Sequence, residues 1–303
     1  MDASDAHLEN ALAEQNEKVN YLEPEGPSEQ LLEAYVNRGC ILYLMEYRTA
    51  ALEDLMSADE VIEILEESGN DVDPGTFVKT YATIGSIMAD QNYDPIDPYM
   101  HASTRIGKVD GNSRHFDGKS IIRTCIEISE DLLDSDHPED VDPFLNHALR
   151  LLDGKTDRWS MNRMLQIMNL KAESADSNND PAMATQFYDE AISIGADLRS
   201  TNRLDEPEEL AMAYISKAEC EYGIGMSDLS ISDMKGGIDV LNELLDNNRL
   251  DDSDILVNVL QNLAGILIRE GRIVEAEQYL VKAMNIGVSG AHDYMREQTR
   301  MDF

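Results

Sequence analysis

The chain has 303 residues, 60 acidic against 24 basic, and a net charge of −36. That balance argues against binding nucleic acid through its phosphates, or docking on an anionic membrane, since both need a basic footprint. With 42% hydrophobic residues and nine prolines, the sequence has enough apolar surface for a continuous core and few helix breakers.

Cys40, Cys125 and Cys220 are far apart and odd in number. They are expected to be reduced packing residues, not a metal set or a disulfide framework. The opening stretch MDASDAHLENALAEQ has neither the basic start nor the apolar run of a signal peptide. No run of about 18 apolar residues reads as a membrane helix. A cytoplasmic location is the expectation.

Residues 4–21 read as an N-terminal helix outside any repeat register. The next stretch, LLEAYVNRGCILYLMEYRTAALEDLMSADE, spaces Gly39, Ala51, Leu55 and Ala58 as two helices facing each other. Asp73-Pro74 sets an N-cap and a first-turn proline ahead of a helix carrying Gly85. Residues 92–118, with three glycines and two Asp-Pro steps, read as irregular and obscure that helix's partner. Ser129, Val141, Leu145 and Ala148 repeat the pattern, with Val141 bulky for a small position and Asp142-Pro143 expected to cap the second helix. Ala172, Ala184, Tyr188 and Ala191 follow, then Ala218, Ser230, Met234 and Gly237. The clearest pair runs over 257–287. Leu260, Leu263, Ala264 and Leu267 form one stripe, Ala276, Leu280 and Ala283 the next, and Gly271-Arg272 joins them. Residues 290–303 read as a polar C-terminal helix. The first-helix markers 39, 85, 129, 172, 218 and 264 are separated by 46, 44, 43, 46 and 46 residues.

The last pair resembles the tetratricopeptide repeat on Ala264, Gly271, Ala276, Leu280 and Ala283. Small residues there let two helix backbones approach, and a large one fills the next gap. The resemblance implies an all-α, right-handed superhelix (α-solenoid) of about six antiparallel hairpins. As a single domain over 1–303 it would comprise an N-terminal cap (1–27), repeats (28–288) and a C-terminal helix (289–303). The period exceeds the family's 34 or so residues. The surplus falls in connections such as Asn70–Gly75 and Asp246–Asn248.

No motif in the sequence carries chemistry. Gly118-Lys119-Ser120 lacks the upstream glycine of a phosphate loop, and Asp117 reads better as a helix cap. The six histidines form no close Cys/His group, so neither metal nor cofactor is expected. An enzyme reading would have to use the irregular segment, through His101, His115 or Asp117.

The resemblance also implies a partner-binding concave face. Its positions fall six, three and two residues before each marker, and one and four after it. The candidates are Asn37 and Tyr43 in the first hairpin and Glu127 and Glu130 in the third. Asn169 and Glu173 follow in the fourth, Glu219 and Tyr222 in the fifth, and Asn258 and Asn262 in the sixth. Lys and Arg, which the family's carboxylate-clamp members use to grip acidic termini, are missing there apart from Lys79 and Arg123. The expected function is a non-catalytic interaction scaffold holding a basic or amphipathic protein or peptide segment. A ligand-sensing regulatory module is the alternative.

Overall fold

The structure, a computed structural model, describes the backbone of residues 3–301 and the side chains of residues 6–287. Among these residues there are thirteen α-helices and no strand. They divide into two compact units, Met1–Asp153 and Gly154–Phe303.

In the first unit α1 (Ala3–Leu22) packs on α2 (Glu29–Leu44). Three helical hairpins then follow. They pair α2 with α3 (Arg48–Glu67), α4 (Pro74–Asp90) with α5 (Ile96–Ile106), and α6 (Ser120–Asp134) with α7 (Asp142–Leu152). The second unit holds three more hairpins. They pair α8 (Arg158–Ser177) with α9 (Pro181–Ser200), α10 (Pro207–Gly223) with α11 (Ser227–Asp246), and α12 (Ser253–Arg269) with α13 (Ile273–Met301).

The six markers fall one to each first helix, and all are buried. A Cβ on Gly39 would lie 2.9 Å from Leu55 Cγ and 3.2 Å from the Ala51 carbonyl oxygen. The small residue is therefore what lets α2 touch α3. The large positions Leu55, Leu145, Tyr188 and Met234 are buried as the pattern demands. Leu280 is 37% exposed, because α4, α10 and α12 cover α3, α9 and α11 while no described helix follows α13.

Helix boundaries follow local chemistry. Ser28, Asp73, Asp157 and Asp180 each accept a hydrogen bond from a first-turn amide, the standard N-cap. Asp142 differs from expectation. It is the first residue of α7, and the cap position belongs to buried Val141, whose side chain makes no cap bond. Nine helices end alike, with a left-handed residue followed by an amide bonded back across the last turn. Gly271 (φ 76°) does this after α12, where Arg272 N–H donates to the Leu267 carbonyl at 2.8 Å. Glu46 (φ 64°) does the same after α2 without glycine's freedom. Glu46→Gly should therefore stabilise the chain by about 1 kcal/mol. The expected readout is a higher urea midpoint at unchanged slope; an unchanged or lower midpoint would refute it.

Residues 92–118 are less irregular than their sequence. They contain α5, whose Pro98 lies in the first turn, where a missing N–H is tolerated. The loop after α5 folds over the start of α4. Val109 and Phe116 are buried, and Arg114 O lies 2.3 Å from where a Cβ on Gly75 would stand. Asp117 caps the turn that leads into α6, its carboxylate accepting from the amides of Lys119 (2.9 Å) and Ser120 (2.6 Å), while the helix cap position itself belongs to Lys119. At the other end, α13 runs on through 289 to Met301, where a separate helix is expected from the sequence. The side chains of that stretch lie outside the described residues.

Four tyrosines of the first unit donate to carboxylates: Tyr35 to Glu23 (2.9 Å), Tyr43 to Asp90 (3.0 Å), Tyr81 to Asp59 and Tyr99 to Asp131. In a chain poor in Lys and Arg, the phenol supplies the donor that a cation supplies elsewhere.

Candidate functional site: an acidic groove in the first unit

The first helices of the three hairpins in the first unit lie side by side, α4 against both α2 and α6. Two adjoining cavities open along them. One, of about 390 Å³, is lined by Cys40, Tyr43, Lys79, Thr83, Glu127 and Asp131, among others. The second, of about 520 Å³, lies at the helix ends and is lined chiefly by Asp90, Asp94, Asp131, Asp134 and Tyr93. Asp90 and Asp131 belong to both.

Sequence order explains the concentration of charge. Asp90 and Asp134 are the last residues of α4 and α6, and neither helix has a basic residue in its last turn. The negative ends of two helix dipoles therefore coincide with carboxylates, an arrangement that favours a cation. Burial, and then the charges of Asp90, Asp134 and Glu127, hold the Asp131 carboxyl above its usual range despite the hydrogen bond from Tyr99. Burial and the bond to Asp90 push the Tyr43 phenol up to about 12, so it stays a neutral donor. Arg48 pairs with Asp90 at 3.3 Å across the solvent-exposed rim.

The ten residues singled out by sequence are distributed as follows. Tyr43 and Glu127 line one cavity together. Asn37 and Glu130 are half-buried on α2 and α6. In the second unit Asn169 donates to the Glu209 backbone and carboxylate at 3.1 and 2.7 Å, and its own carbonyl oxygen is buried. Glu173 and Glu219 are exposed. Burial and the charge of Asp176 raise the Glu219 carboxyl. Tyr222 accepts from Arg269 at 3.3 Å, and the guanidinium lies over its ring. Asn258 and Asn262 are exposed on α12. Asp90, Asp94, Tyr93, Asp131 and Asp134 were missed. Asp90 and Asp134 both stand five residues after a marker, one beyond the last expected position, and that shared aspartate was the available signal.

His101, His115 and Asp117 line neither cavity. His101 stacks on Tyr81 at 4.8 Å, and Asp117 caps a turn.

No family model matches this sequence, and no curated protein matches it. Solved structures do. BtubC (BKLC) from P. vanneervenii superposes with a TM-score of 0.54 at 13% identity, over 94% of this chain and 92% of that one. Aspartyl phosphate phosphatase F from Bacillus subtilis gives 0.55 at 16% identity, over 94% and 71%. The C-terminal part of a TPR repeat-containing protein from Cytophaga hutchinsonii gives 0.52 at 12% identity, over 93% and 98%. The fold of this chain is that of the tetratricopeptide-like helical-repeat proteins.

Proposed function

We propose that the chain is a non-catalytic interaction scaffold whose first unit holds a basic segment of a partner protein in the groove along α2, α4 and α6. The observation that carries this reading is the crowding of Asp90, Asp94, Asp131 and Asp134 around one cavity of about 520 Å³, at two helix ends without a basic residue in the last turn. An arginine or lysine side chain entering there relieves mutual repulsion, including that which raises Asp131. Tyr93, 64% exposed at the same cavity, offers an aromatic face for the cation or its aliphatic stem. Lys79 at the other cavity orients the segment by repelling a second cation. A cytoplasmic setting belongs to this reading, in keeping with three free cysteines.

Selection from a random peptide library on the full chain tests it. The expected result is enrichment of Arg and Lys over Asp and Glu. The selected peptides should lose about tenfold or more in affinity for Asp131→Asn/Asp134→Asn, and again at high salt. Acidic or charge-free winners, or winners indifferent to both changes, overturn the reading.

A further inference from the structure

The turn between α6 and α7 brings together groups that the groove does not use. His137, Glu139 and Asp140 follow one another through a short 3-10 turn, Pro138–Asp140. One ligand atom from each lies within 4.8 Å of the others. The turn is anchored, with His137 N–H donating to the Leu132 carbonyl at 2.8 Å. A second contact comes from the opposite loop, between α4 and α5. Asp94 Oδ1 lies 3.0 Å from His137 Nε2. A carboxylate on one imidazole nitrogen fixes the ring and selects the tautomer, leaving the lone pair of Nδ1 to accept a cation.

We infer that His137, Glu139 and Asp140 bind a divalent transition-metal ion, with Asp94 orienting the imidazole. The ligand set is one nitrogen and two carboxylates, with room for water. Zinc and manganese take such sets, whereas calcium prefers oxygen alone. Zinc with bonds of about 2.0–2.1 Å sets its ligands about 3.3 Å apart. Separations of up to 4.8 Å therefore close towards that value on binding. Glu139 is exposed, His137 and Asp140 half-exposed. Asp94 also lines the 520 Å³ cavity, so the ion would tie the loop after α4 to the loop after α6 beside the groove. The inference stands without the proposed partner.

The full chain, stripped with a chelator, is titrated separately with zinc, manganese and calcium. Expected is one tight zinc per chain. Zinc affinity should fall about a hundredfold in His137→Asn and about tenfold in Asp94→Asn. Calcium binding should stay weak, multiple and unchanged in both variants. Manganese should broaden one histidine ring resonance, absent from the His137→Asn spectrum. Far-UV circular dichroism of the variants controls for folding, and Asp94→Asn leaves the ligands themselves in place. Zinc that binds only as calcium does, or with equal affinity to wild type and His137→Asn, overturns the inference.

Discussion

Tyr99→Ala is expected to lower the unfolding free energy by about 4 kcal/mol, the usual size for emptying an aromatic site in a core. Tyr99 is fully buried and fills the space that Gly85 leaves open. A Cβ on Gly85 would lie 2.2 Å from its ring carbon Cε1. The hydroxyl meets Ser86 at 3.2 Å and donates to Asp131. Burial and the Asp131 charge raise its phenol far above the ordinary value, so it remains a donor at any working pH. Tyr99→Phe keeps the packing and removes that donor from a half-buried carboxylate, for about 1–2 kcal/mol. Gly85→Ala approaches the same contact from the other side and should cost about 2–3 kcal/mol by overpacking. Urea unfolding read by circular dichroism orders the three. A Tyr99→Ala loss below about 1 kcal/mol would mean that the ring does not hold α5 to α4.

In the second unit the largest single effect is expected at Lys217. Its ammonium, on α10, reaches Asp189 on α9 at 2.7 Å, Asp233 on α11 at 2.8 Å and Glu221 at 3.4 Å. Burial disfavours the charge, yet the hydrogen bonds to Asp189 and Asp233 outweigh it and hold Lys217 above its usual range. The Glu221 side chain is 3% exposed, and its second oxygen is buried without a hydrogen bond. Lys217→Met leaves these carboxylates uncompensated and should cost about 3–5 kcal/mol. Adding Glu221→Leu should return at least half of that loss, since the penalty lies in the orphaned charge and not in the missing contact. The sign of the pH dependence is also fixed. Burial, then the charge of Asp233, raise the Glu221 carboxyl above its unfolded value. Its neutral form therefore favours folding at low pH, and this contribution is lost as pH rises. The Lys217→Met deficit should then shrink on going from about pH 7 to about pH 5. Equal destabilisation by Lys217→Met and the double variant would contradict the argument.

The repeat was legible because it rests on residue size at fixed spacing, and size is written in the sequence. Gly39, Ala172, Ala218 and Ala264 each sit buried on a first helix. The helix α5 was hidden because Asp94-Pro95 and Asp97-Pro98 look like breakers. Proline breaks a helix only where its missing N–H would have been used, and Pro98 sits in the first turn. Gly85 was a further clue, since a glycine there calls for a large partner, and the partner is Tyr99. The groove was half legible. The resemblance reached Tyr43 and Glu127, but its offsets stop one residue short of Asp90 and Asp134. Those carboxylates meet because two helices end side by side, and their shared place five residues after a marker was the one trace of it in the sequence. The contact between His137 and Asp94 spans 43 residues, beyond any local spacing rule.

The four phenol-to-carboxylate bonds of the first unit have a consequence for the chain's surroundings. A neutral donor contributes no net charge for electrolyte to screen, so these joints keep their strength where ion pairs fade. The Lys217 cluster, built on net charge, has no such immunity where Asp189 reaches solvent. Ionic strength is thus a variable to which the joints at Tyr35, Tyr43, Tyr81 and Tyr99 are nearly blind. A concentrated salt solution would shield the 36 surplus negative charges from one another while leaving those fastenings intact.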